Sequence, residues 1–215
     1  MLNLDPTTII TRIIILIIAF SVHEFAHAYV ANAFGDDTPR LNGRLTLNPA
    51  VHLDLMGSLM LLVAGFGWAR PVPVNPAMLR RNSSAALMWV SLAGPLSNFV
   101  MAVAAAIPLR LGLVPLNYSS GLLPSLYSFL IAFIIINLSL MLFNLIPVAP
   151  LDGEKVAEYF LPPAWQRGLE RISPYGPLIL MALFFLPSVI GFDLLGSVMT
   201  PVLINLMRLL LGVTG

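Results

Sequence analysis

From Ile9 to about Ala33 the chain carries no proline and is almost wholly apolar, yet it includes His23, Glu24 and His27. A stretch of that length can cross a bilayer as a helix. Ionisable side chains inside such a helix are costly and are kept mainly for ion paths, relays or sites. On a helix, residues i and i+4 lie about 40° apart around the axis and about 6 Å apart along it. His23 and His27 therefore face the same way and can grip one metal ion. Glu24, the next residue round, can hold a water there and take its proton. The bland alternative is a structural histidine pair bonded to backbone carbonyls, and the cost of placing it in lipid weighs against that reading.

Composition puts the rest of the chain in the same setting. Hydrophobic residues make up 58% and charged residues 10%, with a mean hydropathy of +0.90. A soluble domain is about one-quarter charged, so the chain reads as a multi-pass membrane protein in contact with a lipid bilayer. A net charge of +1 argues neither for nor against a nucleic-acid partner, and none is expected of a chain of this composition. With no cysteine present, any metal must be held by His, Asp or Glu. The first apolar run is too long for a signal-peptide core and lacks a basic leader, which makes it a retained span.

Further along, Phe34-Gly35-Asp36-Asp37-Thr38-Pro39 breaks the first helix, and Asn42-Gly43 is a hairpin signal. Leu55–Ala69 is apolar but short and interrupted by glycines, which suits a re-entrant or interfacial segment. No charge falls between Arg81 and Arg110, giving a second span at about Ser84–Leu109. A third is expected at about Ser125–Ile146, and two more apolar runs, parted near Gly191-Phe192-Asp193, fill the remainder after Ile172. The expected fold is all-α, with about five transmembrane helices and a short hairpin or re-entrant segment after the first.

Charge bias gives an orientation. If Leu55–Ala69 does not cross, the loops at 34–83 and 152–171 share one side. They carry Arg40, Arg44, Arg70, Arg80, Arg81, Lys155, Arg167 and Arg171, while the 110–124 loop opposite has only Arg110. The basic side is the cytoplasmic one. His23, His27 and Asp152 then lie nearer the cytoplasmic face.

Taken together, His23-Glu24-x-x-His27 and Asn144-x-x-Pro147-x-x-Pro150-Leu151-Asp152-Gly153 resemble the site-2 protease family of intramembrane zinc metalloproteases. Gly35-Asp36-Asp37-Thr38, Asn48-Pro49-x-x-His52-x-Asp54, the Gly67–Pro76 stretch and Ala93-Gly94-Pro95-Leu96-Ser97-Asn98 are similar to its compact branch. The likeness covers roughly residues 9–160, the expected catalytic core of one membrane-embedded domain over residues 1–215. It implies that His23, His27 and Asp152 bind one zinc ion per chain, with a water in the fourth position. Glu24 would be the general base, and Asn144 would hold the substrate or steady the oxyanion. The chain starts on the motif helix and shows no PDZ or CBS module, so substrate choice is expected to rest on something else.

Read locally, Pro150-Leu151-Asp152-Gly153 is also a plausible turn or helix N-cap, and Asp54 and Glu154 are competing carboxylates. Asn144 also suits the satisfaction of backbone freed by Pro147. His52 reads as an interfacial histidine, with a fourth ligand or oxyanion donor as alternatives. Ser97 and Asn98 read as helix-packing residues, and Ser21, Asn98 and Asn144 as candidates to line a water path. The function expected is hydrolysis of peptide bonds within or near transmembrane segments of membrane proteins, as in regulated intramembrane proteolysis. The substrate would unwind and add as a strand to an edge near Asn42–Ala69. A zinc-binding transporter or sensor without hydrolysis is the alternative, although it has no need of Glu24 as a base.

Overall fold

The computed structural model describes residues 5–54, 56, 57, 60, 67–116 and 124–212, and among them every regular element is helical. Helix α1 spans Pro6–Ala33. The Asp5 side chain accepts from the Thr8 amide at its start, where Pro6 supplies a ready-set φ. At its end Gly35 takes φ +83°, and the amides of Gly35 and Asp36 bond back to the carbonyls of Asn32 and Ala31. That paired closure stops the helix and turns the chain.

Two short helices follow, α2 (Thr38–Leu41) and α3 (Pro49–His52). The Asn42-Gly43 signal thus serves a different purpose from the hairpin expected of it. Gly43, at φ +67°, closes α2, with its amide bonded to Arg40 and that of Arg44 to Pro39. A left-handed glycine suits both motifs, and here the single helical turn before it decides between them. Residues 42–52 accordingly turn into α3 and present no strand edge.

The segment expected to be re-entrant falls largely outside the described residues, but its two ends are visible and meet. Leu53 and Ala69 form an antiparallel bridge, and the Arg70 amide donates to the His52 carbonyl at 2.7 Å. Buried Arg44 spans the same junction, donating to the carbonyls of Val51 and Arg70 at 2.6 and 3.1 Å. Burial and the neighbouring Arg70 charge draw the Arg44 guanidinium below its ordinary pKa, and Glu24 pulls the other way.

Helix α4 (Pro76–Asn82) is capped by Asn75, whose amide is held by the buried Asp36 carboxylate at 2.6 Å. The long helices α5 (Ala86–Arg110) and α6 (Leu126–Asn144) come next. Helices α7 (Asp152–Phe160) and α8 (Pro163–Ile172) lead through a short 3-10 turn at Ser173–Tyr175 into α9 (Gly176–Ile190). Helix α10 (Leu194–Leu211) ends the described chain. Among the described residues, five helical stretches are long and apolar enough to cross a membrane: Pro6–Ala33, Ala86–Arg110, Leu126–Asn144, Pro163–Pro187 (α8, the 3-10 turn and most of α9) and Leu194–Leu211. The expected class, all-helical with about five spans, is the one found.

Helices α1 and α5 pack antiparallel through matching ridges. On α1 the buried row is Thr11, Ile15, Ala19, His23, His27 and Ala31; on α5 it is Ala86, Val90, Gly94, Asn98, Ala102 and Ala106. Both rows repeat every fourth residue, the spacing of interlocking helix ridges. Alanines and Gly94 let the backbones approach closely, as helix pairs in lipid require. Farther down α5, Ala102, Ala105 and Ala106 meet Ile134, Leu138 and Met141 of α6, with Leu203, Leu206 and Met207 of α10 against them. The Arg110 side chain closes that end by donating to the Leu209 carbonyl at 2.9 Å.

Candidate metal centre

His23 and His27 lie on adjacent turns of α1, and their Nε2 atoms are 3.0 Å apart. Asp152 reaches them from the first residue of α7, its Oδ2 lying 3.2 Å from His23 Nε2 and 3.4 Å from His27 Nε2. Among the described residues these three form a group able to hold one metal ion. The chain places Asp152 there through the loop after α6, where the Ala149–Pro150 bond is cis and Gly153 packs against the Leu145 and Ile146 carbonyls. A side chain at position 153 would collide with that backbone.

The spacing suits zinc. Tetrahedral N and O ligands about 2.0–2.2 Å from a zinc ion lie roughly 3.3–3.6 Å apart, a few tenths of an ångström beyond the separations found here. Gly94 of α5 supplies the open space: a Cβ there would strike Nε2 of both histidines. The remaining ring nitrogens are already turned away. His23 Nδ1–H donates to Asn98 Oδ1 and His27 Nδ1–H to the Val90 carbonyl, each at 2.7 Å. Both Nε2 atoms therefore present lone pairs to one point, as metal ligation needs.

Glu24 is buried beside this group on α1, and its charge is felt by Arg44 in the α2–α3 connection. The competing carboxylates lie elsewhere. Asp54 accepts from the Gly57 amide, and buried Glu154 pairs with Lys155 at 3.4 Å. Burial works to lower the Lys155 pKa, yet its hydrogen bond to Glu158 and the Glu154 charge hold it above its ordinary value. A cleft of about 520 Å³ opens next to Asp152, lined among others by Ser91, Glu154, Lys155, Ser173 and Pro177.

Asn144 ends α6, where its side-chain NH2 donates to the Leu140 carbonyl at 3.0 Å; it is not in the His–His–Asp group. His52 is fully buried: Nε2 bonds the Thr46 carbonyl at 2.7 Å, and Nδ1 has no partner among the described residues. Of the residues expected to line a water path, Ser21 donates to the Ile17 carbonyl and Asn98 is taken up by His23. Asn98 had looked like a packing residue, and Asn137 and Gly94 carried no functional expectation. The signal available was the cost of an amide inside an apolar span.

Comparison with known proteins decides the family. The chain is 44% identical over 191 residues to "Putative zinc metalloprotease YwhC" of Bacillus subtilis (strain 168), covering 86% of this chain and 83% of that relative. This chain belongs to peptidase family M50. That is the site-2 protease family to which the motifs pointed. The M50 family model matches residues 112–186, which hold Asn144 and Asp152. Two further relatives are each described as "Putative zinc metalloprotease Rip2". The one from Mycobacterium tuberculosis (strain ATCC 25618 / H37Rv) is 32% identical over 178 residues, covering 81% of this chain and 66% of the relative. The one from Mycolicibacterium smegmatis is 32% identical over 176 residues, with 80% and 65% covered. No solved structure gives a significant match.

Proposed function

We propose that this M50 chain hydrolyses peptide bonds within or near transmembrane segments of membrane-protein substrates. The observation that carries the reading is the meeting of His23 Nε2, His27 Nε2 and Asp152 Oδ2 within 3.4 Å of one another, with Glu24 on the adjoining position of the same helix. Two neutral imidazoles and one carboxylate would hold a single zinc ion, the donor set of a catalytic site with a position left open. Bound there, zinc supplies Lewis acidity, which polarises a carbonyl and lowers the pKa of water to about 7.

The chain's own residues do the rest. Glu24 takes a proton from the attacking water and returns it to the departing amine nitrogen. Asp152 offsets part of the cation's charge while His23 and His27 fix its place. Asn144, at the end of α6, carries a second amide N–H to offer a substrate carbonyl or its developing oxyanion. The 520 Å³ cleft beside Asp152 admits water and a locally unwound polypeptide. With the basic loops in the cytoplasm, the chemistry takes place nearer that face of the cell membrane.

Glu24→Gln tests the reading. In the full chain reconstituted with a single-span membrane peptide, this variant is expected to retain zinc and lose cleavage. Undiminished cleavage would remove the proposed mechanism. A chain that binds zinc while neither the native protein nor the variant cleaves any such peptide would point to metal handling without hydrolysis.

A further inference from the structure

The two histidines reach main-chain carbonyls by different routes. His27 Nδ1–H bonds Val90 O directly. His23 does so through two side chains on two other helices. Its Nδ1 meets Asn98 Oδ1 at 2.7 Å, Asn98 Nδ2 donates to Asn137 Oδ1 at 3.2 Å, and Asn137 Nδ2 donates to the Phe133 carbonyl at 2.9 Å. Both asparagines are fully buried.

We propose that Asn137 is a positioning residue for His23, acting through Asn98 to keep His23 Nε2 free for the metal. The inference rests on the zinc-site reading above. A carboxamide has one accepting end and one donating end, so Asn98 by itself is as able to show NH2 to His23 as oxygen. Were it turned over, His23 Nδ1 would have to accept, and the ring proton would move to Nε2, where it blocks ligation. The Phe133 carbonyl breaks this ambiguity because it only accepts. It fixes the Asn137 NH2 towards itself and Oδ1 towards Asn98. Asn98 must then donate to Asn137 and show its oxygen to His23. A direction set by one backbone carbonyl on α6 thus passes through α5 to a ligand on α1. Outer partners of this kind typically alter metal affinity by about 10–100-fold.

The test is zinc affinity of the full chain in detergent micelles, by competition with a chelator, with helical signal and elution volume as checks on folding. Asn137→Leu removes the direction and is expected to weaken zinc binding about 10–100-fold while the chain stays folded. Asn98→Leu removes the link itself and should weaken binding by at least as much. Adding Asn137→Leu to Asn98→Leu should then change affinity by no more than about threefold, the mark of coupled residues.

Native affinity in folded N137L would overturn the proposal. So would a double variant weaker than N98L by as much as N137L is weaker than the native chain, which would mean Asn137 acts apart from Asn98. Should N137L fail to fold, the smaller Asn137→Ala carries the same test, and native zinc affinity in folded N137A would sink the idea. Absence of zinc from the native chain would instead remove the metal reading and this inference with it.

Discussion

Gly94 lies against His27 so closely that one added methyl group would overlap the ring's Nε2. Zinc in the proposed position needs the space that this missing side chain leaves. Gly94→Ala should therefore abolish zinc binding without melting α5, since alanine is favoured in helices over glycine by about 1 kcal/mol. Zinc content and far-UV circular dichroism of the purified variant decide it. A native complement of zinc would show that the cavity is not where the ion sits.

Asp152 is the one member of the triad that does not come from α1. Asp152→Asn keeps the shape but removes the charge, and should weaken zinc binding by about 100-fold or more, beyond the usual effect of an outer partner. Soaking the native chain with a strong chelator should stop peptide cleavage, and added zinc should restore it. Cleavage that persists in chelator would contradict a metal-dependent reaction.

The buried Asp36 carboxylate joins the start of α2 to the cap of α4, accepting from the amides of Thr38 at 3.0 Å and Asn75 at 2.6 Å. Asp36→Ala would leave both donors without a partner. Hydrogen bonds to charged groups contribute about 1.5–3 kcal/mol each, so a destabilisation of about 3 kcal/mol or more is expected. Thermal unfolding in detergent measures it, and a midpoint equal to that of the native chain would show the junction to be unimportant.

Much of this arrangement follows from local chemistry. Long charge-free runs between Arg81 and Arg110 and after Leu111 had to be spans, because lipid admits little else. His23 and His27 were paired by helical spacing alone. Asp152 needed more: nothing within Pro150-Leu151-Asp152-Gly153 separates a ligand from a cap, and the motif resemblance supplied the choice. Asn98 and Asn137 sit 39 residues apart on different helices, and a lone amide in an apolar run gives no hint of its partner. His52 has polar sequence neighbours, which gave no sign that the fold closes over it. Asn42-Gly43 showed that the same left-handed glycine serves a hairpin or a helix end equally well.

Orientation can be measured directly because the chain has no cysteine. Leu41 and Leu113 are both well exposed, one in the basic loop region and the other just beyond Arg110. In intact cells a membrane-impermeant thiol reagent should label Leu113→Cys and spare Leu41→Cys. The reverse pattern would put the triad nearer the outer face.

The Leu53–Ala69 bridge, with the Arg70 and Arg44 bonds beside it, closes the base of an excursion whose two ends leave from one spot. Those bonds therefore fix the end of α3 against the start of the run into α4, whatever the chain between them does.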